Sequence, residues 1–501
     1  GGKVMLTVLT GRQMQDADRQ MTEKFGIPSE LLMERAALAV TEELKKHYPS
    51  ARKIGVFSGL GNNGADGIAA ARILALEGFD CRVYISGNIE EKKGTGLVYL
   101  QYQMAKNVGV IFVDQMADLS GCDVVLDAVF GTGLSRPIEG DLVNAFHAFQ
   151  DLKLPIIAVD IPSGVSSTDG RVLGTAIRAD LTVTFAYLKA GLLLFPGKDY
   201  CGEVVLRDVG IRRPIEEDQK AGRKVLEDSD LDEFKPRRFA GSNKGSYGHV
   251  LVIAGSYCMA GAACFAAKAA LLSGAGLVKV LTDERNREII QSQLPEALLS
   301  VYGTRLNKQE IERDLSWANV VLIGPGLGQT SLSRQIFRLV MEEIQTPMVM
   351  DADALNLLSE DVSLLQRPHL DLVITPHIAE MARLKKVSPS YVSEHMISLA
   401  EEFANDYQVT VVLKNAASLT AVPFSNTFIN RTGNNGMSTG GSGDVLAGLT
   451  AGLMAQHLPS EKAAPLAVYL HGKAGDLARD RYGVYAMGPR EILSEIHEVL
   501  A

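Results

Sequence analysis

Asp444 closes the stretch NNGMSTGGSGD at 434–444 and opens directly onto the apolar run Val445-Leu446-Ala447-Gly448-Leu449. A glycine-rich loop feeding such a run predicts a helix start, whose unsatisfied N–H groups and positive dipole end favour an anion. Gly440, Gly441 and Gly443 permit close main-chain approach to a phosphate. A carboxylate in that first turn repels the same phosphate unless it acts as a base or orients a nucleophile. The chemistry implied is a general-base step beside a bound phosphate; the plain alternative is an ordinary helix-start Asp compensating the dipole.

A second set of residues lies in the first half. KIGVFS at 53–58 predicts a strand, and it runs into Gly59-Leu60-Gly61-Asn62-Asn63-Gly64-Ala65-Asp66-Gly67 and a helix through Ala69, Ile73 and Leu76. This contains a formal GxGxxG, but no acid ends the next strand, CRVYIS at 81–86, where a ribose partner belongs. Asn62, Asn63 and Asp66 are polar enough to read a ligand. Asp127 and Asp160 end the predicted strands 123–127 and 155–160. Ligands bind beyond the carboxyl ends of parallel strands, so Asp127, Asp160 and the Asn62-Asn63 loop should converge on one site. Each acid taken alone reads equally well as a cap or turn residue.

The elements that must position these groups alternate strand and helix. Helical stripes at 10–25 and 29–47 precede the first strand, and further strands fall at 181–185 and 203–206. The segment 210–235 turns polar and charged, which sets a domain boundary near residue 220. Beyond it, strands are predicted at 249–254, 277–281, 319–323, 347–350, 372–374 and 409–413, with an alanine-rich helix at 261–272. Most end in glycine or polar residues: GPGLG at 324–328, DADA at 351–354, TPH at 375–377 and KNAAS at 414–418. At 501 residues, with 46% apolar and 22% charged side chains, the chain has the composition of two globular α/β domains. Its net charge of -9 argues against general affinity for nucleic acid or anionic membrane, so a phosphate must be held locally. Cys81, Cys122, Cys201, Cys258 and Cys264 lack any CxxC or zinc spacing and read as thiols in a reducing cytoplasm.

On these motifs the second half resembles the ribokinase-like NAD(P)H-hydrate dehydratases, through GPGLG, DADALN at 351–356, TPH and NNGMSTGGSGD. The first half resembles the NAD(P)H-hydrate epimerases, through NNGADG at 62–67, DAVFGTGL at 127–134 and DIPSG at 160–164. The resemblance implies a Rossmann-like three-layer sandwich over 1–220, followed by a ribokinase-like α/β domain over 221–501. It implies repair of hydrated NADH and NADPH: epimerisation of the R and S hydrates, then ADP-dependent dehydration of the S form. By the same resemblance Asp160 is the epimerase acid/base, and Asn62, Asn63, Gly64, Ala65, Asp66, Gly131, Thr132, Gly133, Leu134, Ser135, Arg136 and Pro137 hold the hydrate. Asn63, Asp127 and Ser163 are the implied potassium ligands, a set of hard oxygen donors. In the dehydratase, Asp444 is the implied catalytic base, with Ala262, Gly326 and His377 also contacting the hydrate. Lys414, Asn415, Ala416, Ala417, Ser418 and Gly443 contact the nucleotide, which brings magnesium. The loop reads NNGADG where the family more commonly has NNGGDG, placing a methyl group at Ala65. A cytoplasmic homo-oligomer is the implied form. The competing reading is a ribokinase-class small-molecule kinase with a regulatory first domain.

Overall fold

Runs such as Val124–Ala128 and Ile156–Val159 are apolar at every position rather than at alternate ones, and they are buried throughout. That is the signature of strands covered on both faces by helices, which the βα rhythm supplies. The computed structural model describes residues 5–367 and 370–501. Contacts divide the chain into two units, Gly1–Lys220 and Ala221–Ala501.

The strands of the first unit are β1 (Leu6–Leu9), β2 (Lys53–Ser58), β3 (Asp80–Ile85), β4 (Ile111–Val113), β5 (Val124–Ala128), β6 (Ile156–Val159), β7 (Leu181–Phe185), β8 (Leu188–Lys189) and β9 (Glu203–Arg207). Its parallel sheet has the order β4-β3-β2-β5-β6-β7-β9. The chain winds outward one way from β2 and the other way from β5, so the crevice between their carboxyl ends is a topological switch point. One face is packed by helices Ser29–His47 and Asn62–Leu76, through Val40, Leu44, Ile68 and Leu74. The other is filled by Phe57, Phe146 and Phe149, the last two from helix Asp141–Asp151. This is the three-layer α/β sandwich expected. Outside that sheet, β1 and β8 pair in parallel, with Leu9 opposite Lys189.

The second unit contains β10 (Arg223–Val225), β11 (His249–Ile253), β12 (Leu277–Asp283), β13 (Leu298–Tyr302), β14 (Val320–Ile323), β15 (Met348–Met350), β16 (Leu372–Ile374), β17 (Thr410–Leu413), β18 (Leu419–Ala421) and β19 (Thr427–Ile429). Their order is β13-β12-β11-β14-β15-β16-β17-β18-β19-β10. The sheet is parallel through β17, and β18 and β19 continue it antiparallel. Its switch point lies between β11 and β14.

Two expectations are corrected. A strand, β1, precedes the first helix, and helix Gly11–Glu23 begins after Thr10, which caps it by accepting the Gln13 N–H. The short strands β4, β8, β10, β13, β18 and β19 were not predicted; most are three to five residues long, too short for a period-2 pattern to register. Among the described residues no helix is long and apolar enough to cross a membrane.

Helix Ser442–Ala455 lies directly against helix Ala260–Leu272, and the contact depends on glycine. A Cβ at Gly448 would come 2.0 Å from the Ala266 carbonyl oxygen, and one at Gly452 1.8 Å from Ser273 Oγ. Alanine is the better helix former by about 1 kcal/mol, yet Gly448→Ala is expected to lower the denaturant midpoint of unfolding, by about 1–3 kcal/mol in stability. A raised midpoint would show that the two helices are not held at backbone contact.

Candidate active sites

At the switch point of the first sheet is a cavity of about 960 Å³. Asn62, Asn63 and Asp66 line it from helix Asn62–Leu76, the whole loop from Gly131 to Pro137 from beyond β5, and Asp160 from beyond β6. Gln15, Asp18 and Lys92 join them, three groups that the sequence did not single out. Gly64 and Ala65 do not border the cavity with the other residues of their loop. Gly64 packs against the β2 turn, where a Cβ would meet the Gly59 carbonyl oxygen at 2.1 Å. Ala65 is fully buried in the helix, its N–H bonded to the Gly61 carbonyl at 3.0 Å, and it lies outside the positive-φ positions. Its methyl group therefore adds apolar packing and distorts nothing.

Asp160 has φ of +70°, a strained conformation for a non-glycine residue, and its N–H is tied to the Val183 carbonyl at 2.8 Å. Its Oδ1 accepts from the Lys189 ammonium at 2.8 Å, Thr184 Oγ1 at 3.0 Å and the Phe185 N–H at 3.2 Å. Lys189 is completely buried and was missed in the sequence. The signal was there: a lone ammonium in the apolar run AYLKAGLLLF at 186–195 needs a carboxylate partner. Burial, then the charges of Asp160 and Asp18, hold Asp66 well above the usual carboxylate range. Burial also raises Asp18. One cavity thus holds a carboxylate paired with an ammonium and another pushed toward its neutral form.

Beneath the cavity floor Asp127 is buried, accepting the Ser163 N–H on Oδ2 at 2.7 Å and the Ser163 hydroxyl on Oδ1 at 2.5 Å. Burial outweighs these bonds and lifts its carboxyl to about 6. Asn63 donates Nδ2 to the Val159 carbonyl at 2.7 Å, while its Oδ1 is buried without a partner. An orphaned amide oxygen, a carboxylate and a hydroxyl are oxygen donors of the kind a hard cation takes.

In the second unit Asp444 stands in the first turn of helix Ser442–Ala455, whose N-cap Gly441 has φ of +93°. Gly440 is open to solvent, with nothing near the position of a Cβ. Lys414, from the end of β17, reaches this turn: a Cβ on Gly443 would lie 3.1 Å from its Nζ. The same Nζ donates to buried Asp351 at 2.9 Å. Burial alone pulls Lys414 down, but Asp351, Glu380 and Asp444 together hold it above the ordinary lysine value. Burial, aided by the Asp351 charge, raises Asp444 to about 7, and burial raises Glu380 to about 7.

His377 caps helix Ile378–Lys385. Its Nδ1 accepts the N–H groups of Ala379 and Glu380 at 3.1 and 3.2 Å, and the main-chain N–H of His377 donates to Glu380 Oε1 at 3.0 Å. Burial, then the nearby Lys414 charge, lowers its pKa, and with Nδ1 accepting, the ring hydrogen belongs on Nε2, which lies 3.5 Å from Glu380 Oε1. Gly326 has φ of +61° and touches Ala262, where a Cβ would come 2.9 Å from the alanine Cβ. Asp353 fixes that loop by accepting the Gly328 N–H at 2.7 Å. Asn415, Ala416 and Ser418 form the β17–β18 turn, with Asn415 and Ala416 exposed and Ala417 buried. Asp351 and Glu380 were missed as members of the site, although both lie in motifs already singled out.

Residues 250–498 match the family described as Carb_kinase, NAD(P)H-hydrate dehydratase, and residues 29–191 match the YjeF-related protein N-terminus family. The chain is 36% identical to the bifunctional NAD(P)H-hydrate repair enzyme of Moorella thermoacetica, over 98% of this chain and 96% of that one. It is 32% identical to the enzyme of the same description from Escherichia coli, over 99% and 94% respectively. Among solved structures, a ribokinase-like superfamily protein of Enterococcus faecalis is similar with a TM-score of 0.50 and 29% identity, covering 56% of this chain and 95% of that one.

At the start of helix Ser442–Ala455, His471 is buried with Nε2 3.3 Å from Ser442 Oγ. Burial, then the Lys414 charge, depresses it to about 4. A depressed histidine contributes stability that is present above its unfolded value near 6.5 and is lost as pH falls through about 4. Over that window the parent is expected to lose up to ~3 kcal/mol relative to His471→Gln. Parallel pH-dependent slopes in denaturant titrations of the two proteins would sink this assignment.

Proposed function

The chain belongs to the family of bifunctional NAD(P)H-hydrate repair enzymes, and from that membership and the two sites we propose how its residues divide the work. The protein repairs hydrated NADH and NADPH, epimerising the R and S hydrates and dehydrating the S form at the expense of an adenine nucleotide. The epimerase is assigned to residues 1–220 and the dehydratase to 221–501, with ADP as the donor. The observation that carries the dehydratase reading is the meeting of Asp444, Lys414 and the glycine-bounded helix start, an arrangement suited to moving a phosphoryl group onto a hydroxyl.

In that site Asp444 takes the proton of the ring hydroxyl as its oxygen attacks the terminal phosphorus of ADP, and the phosphorus–oxygen bond to AMP breaks. The N–H groups at 440–443 and the Lys414 ammonium hold the charge that develops on the phosphoryl oxygens. The ring carbon–oxygen bond then breaks with loss of a neighbouring ring proton, releasing inorganic phosphate and restoring the dihydronicotinamide double bond. Phosphate departs far more easily than hydroxide, which is the reason for spending a nucleotide. Gly326, Ala262 and His377 border the hydrate, while residues 414–418 and Gly443 border the nucleotide. Asp351 and Asp444 would be the carboxylates that hold a magnesium ion brought by the nucleotide, which would supply neutralisation of phosphate charge.

In the epimerase Asp160 moves the proton, with the loop 131–137 and Asn62, Asn63 and Asp66 bordering the hydrate. Lys92 and Arg136 on the cavity wall suit its pyrophosphate. Potassium would be held by Asn63 Oδ1, Asp127 and Ser163; the unpartnered Asn63 Oδ1 supports this, and the ion would supply a fixed positive charge at the cavity floor. The free thiols fit a reducing cytoplasm, and a homo-oligomer is the proposed assembly. A net charge of -9 supports neither nucleic acid nor anionic membrane as partner.

Mixing the protein with R and S NADH hydrate, magnesium, potassium and ADP is expected to restore the dihydronicotinamide absorbance in full. Recovery halting at the S fraction would remove the epimerase assignment, and a stable phosphorylated product would replace dehydration by a kinase reaction. Asp444→Asn is expected to lower dehydration by about 1,000-fold or more while leaving epimerisation intact. Because Asp444 must be ionised to act as base, dehydration should rise with pH through about 7. A profile flat across neutral pH would exclude Asp444 as that base.

A further inference from the structure

We propose that Lys189 is the positioning residue of the epimerase site: with Thr184 it occupies Oδ1 of Asp160 and leaves Oδ2 as the one oxygen offered to the substrate. The proposal rests on Asp160 being the acid/base of that reaction.

The geometry is closed on one side and open on the other. Lys189 Nζ donates to Asp160 Oδ1 at 2.8 Å, to Thr184 Oγ1 at 2.9 Å and to the Phe185 carbonyl at 2.9 Å, so its three protons are all used. Thr184 Oγ1 in turn donates to Asp160 Oδ1 at 3.0 Å, completing a triangle of ammonium, hydroxyl and carboxylate oxygen. The Phe185 N–H adds a third donor to Oδ1 at 3.2 Å. Among the described residues Oδ2 receives no hydrogen bond, and Asp160 borders the cavity. A salt bridge serving stability alone gains most by engaging both carboxylate oxygens; here every donor converges on one.

The lysine itself is immobile. It is completely buried, and β8 is held against β1, with Leu9 opposite Lys189. Asp160 is equally constrained, its backbone at φ of +70° with the N–H bonded to Val183. Two further carboxylates, Asp18 and Asp66, border the same cavity. Among the described residues, Asp160 is the one of the three that is ion-paired with a buried ammonium. The backbone and the ion pair together aim a single oxygen, which is what proton transfer to one face of a ring substrate requires.

The test compares Lys189→Met, Thr184→Val and Thr184→Ser in the full chain, measuring epimerisation kcat, KM and pH profile. Dehydration of pure S hydrate by the second unit serves as an internal control of folding. Lys189→Met is expected to lower epimerisation kcat about 100-fold with KM changed less than about threefold, and to move the acidic limb of the profile to higher pH. Thr184→Val, which keeps the shape and removes the hydroxyl, is expected to lower kcat about 10-fold, and Thr184→Ser to restore it to within about twofold. S-hydrate dehydration should be the same in all three. The proposal is overturned if Lys189→Met keeps kcat within about threefold, or if the whole loss is in KM. Should Lys189→Met fail to fold, equal epimerisation by Thr184→Val and the parent overturns it instead. An Asp160→Asn protein that still epimerises would remove the underlying assignment; an inactive one beside an active Lys189→Met protein would remove only the role of Lys189.

Discussion

A buried ammonium bonded to a carboxylate stands at the carboxyl edge of each sheet: Lys189 with Asp160 in the first unit, Lys414 with Asp351 in the second. Such pairs gain little over an apolar replacement, but removing one partner strands a buried charge at a cost of roughly 3–5 kcal/mol. Neither residue of a pair is therefore free to move, and each pair fixes the groups around it. Lys189 is held by the β1–β8 ribbon and holds Asp160. Lys414, whose N–H bonds the Pro376 carbonyl at 2.8 Å, brings Asp351, Glu380, His377 and the start of the Asp444 helix to one place.

Close backbone approach is what leaves room for ligands at these edges. Gly59 lies where a Cβ would meet the Val129 carbonyl oxygen at 2.3 Å, and Gly324 where one would meet the Asp351 carbonyl oxygen at 1.7 Å. In the first unit this lets the loop after β2 cross the loop after β5 at the switch point; in the second it lets the loop after β14 cross the loop after β15, one strand beyond it. The cavity of the first unit lies at its crossing, since a sheet opens where its strand order reverses.

Desolvation then sets the chemistry. Asp444 and Glu380 both rise to about 7 because water is excluded from around them, with a single ammonium shared among three carboxylates. A carboxyl poised near neutrality is a better base than an exposed aspartate, which would be too weak to take a hydroxyl proton. In the first unit the same desolvation acts unequally: Asp66 is pushed toward its neutral form while Asp160 is paired with Lys189. The start of helix Ser442–Ala455 adds the remaining element, an acid in the first turn of a helix whose dipole favours an anion.

Much of this was legible in the chain itself because it is local. The strand–loop–helix order, the glycine runs at 324–328 and 434–444, and acids at strand or helix ends are patterns over a few residues, and the helix Ser29–His47 and strands Lys53–Ser58 and Leu181–Phe185 have the predicted bounds. At Ala65 the loop already belongs to a helix turn without positive φ, where a methyl group fits. What only the tertiary structure decided is which groups face one another. Lys189 is 29 residues from Asp160, Ser163 36 from Asp127, and Lys414 63 from Asp351. In parallel sheets adjacent strands are joined by long crossovers, so partners across a strand edge are distant along the chain. Residue types determined what chemistry was available; the order of the strands decided which of those residues meet.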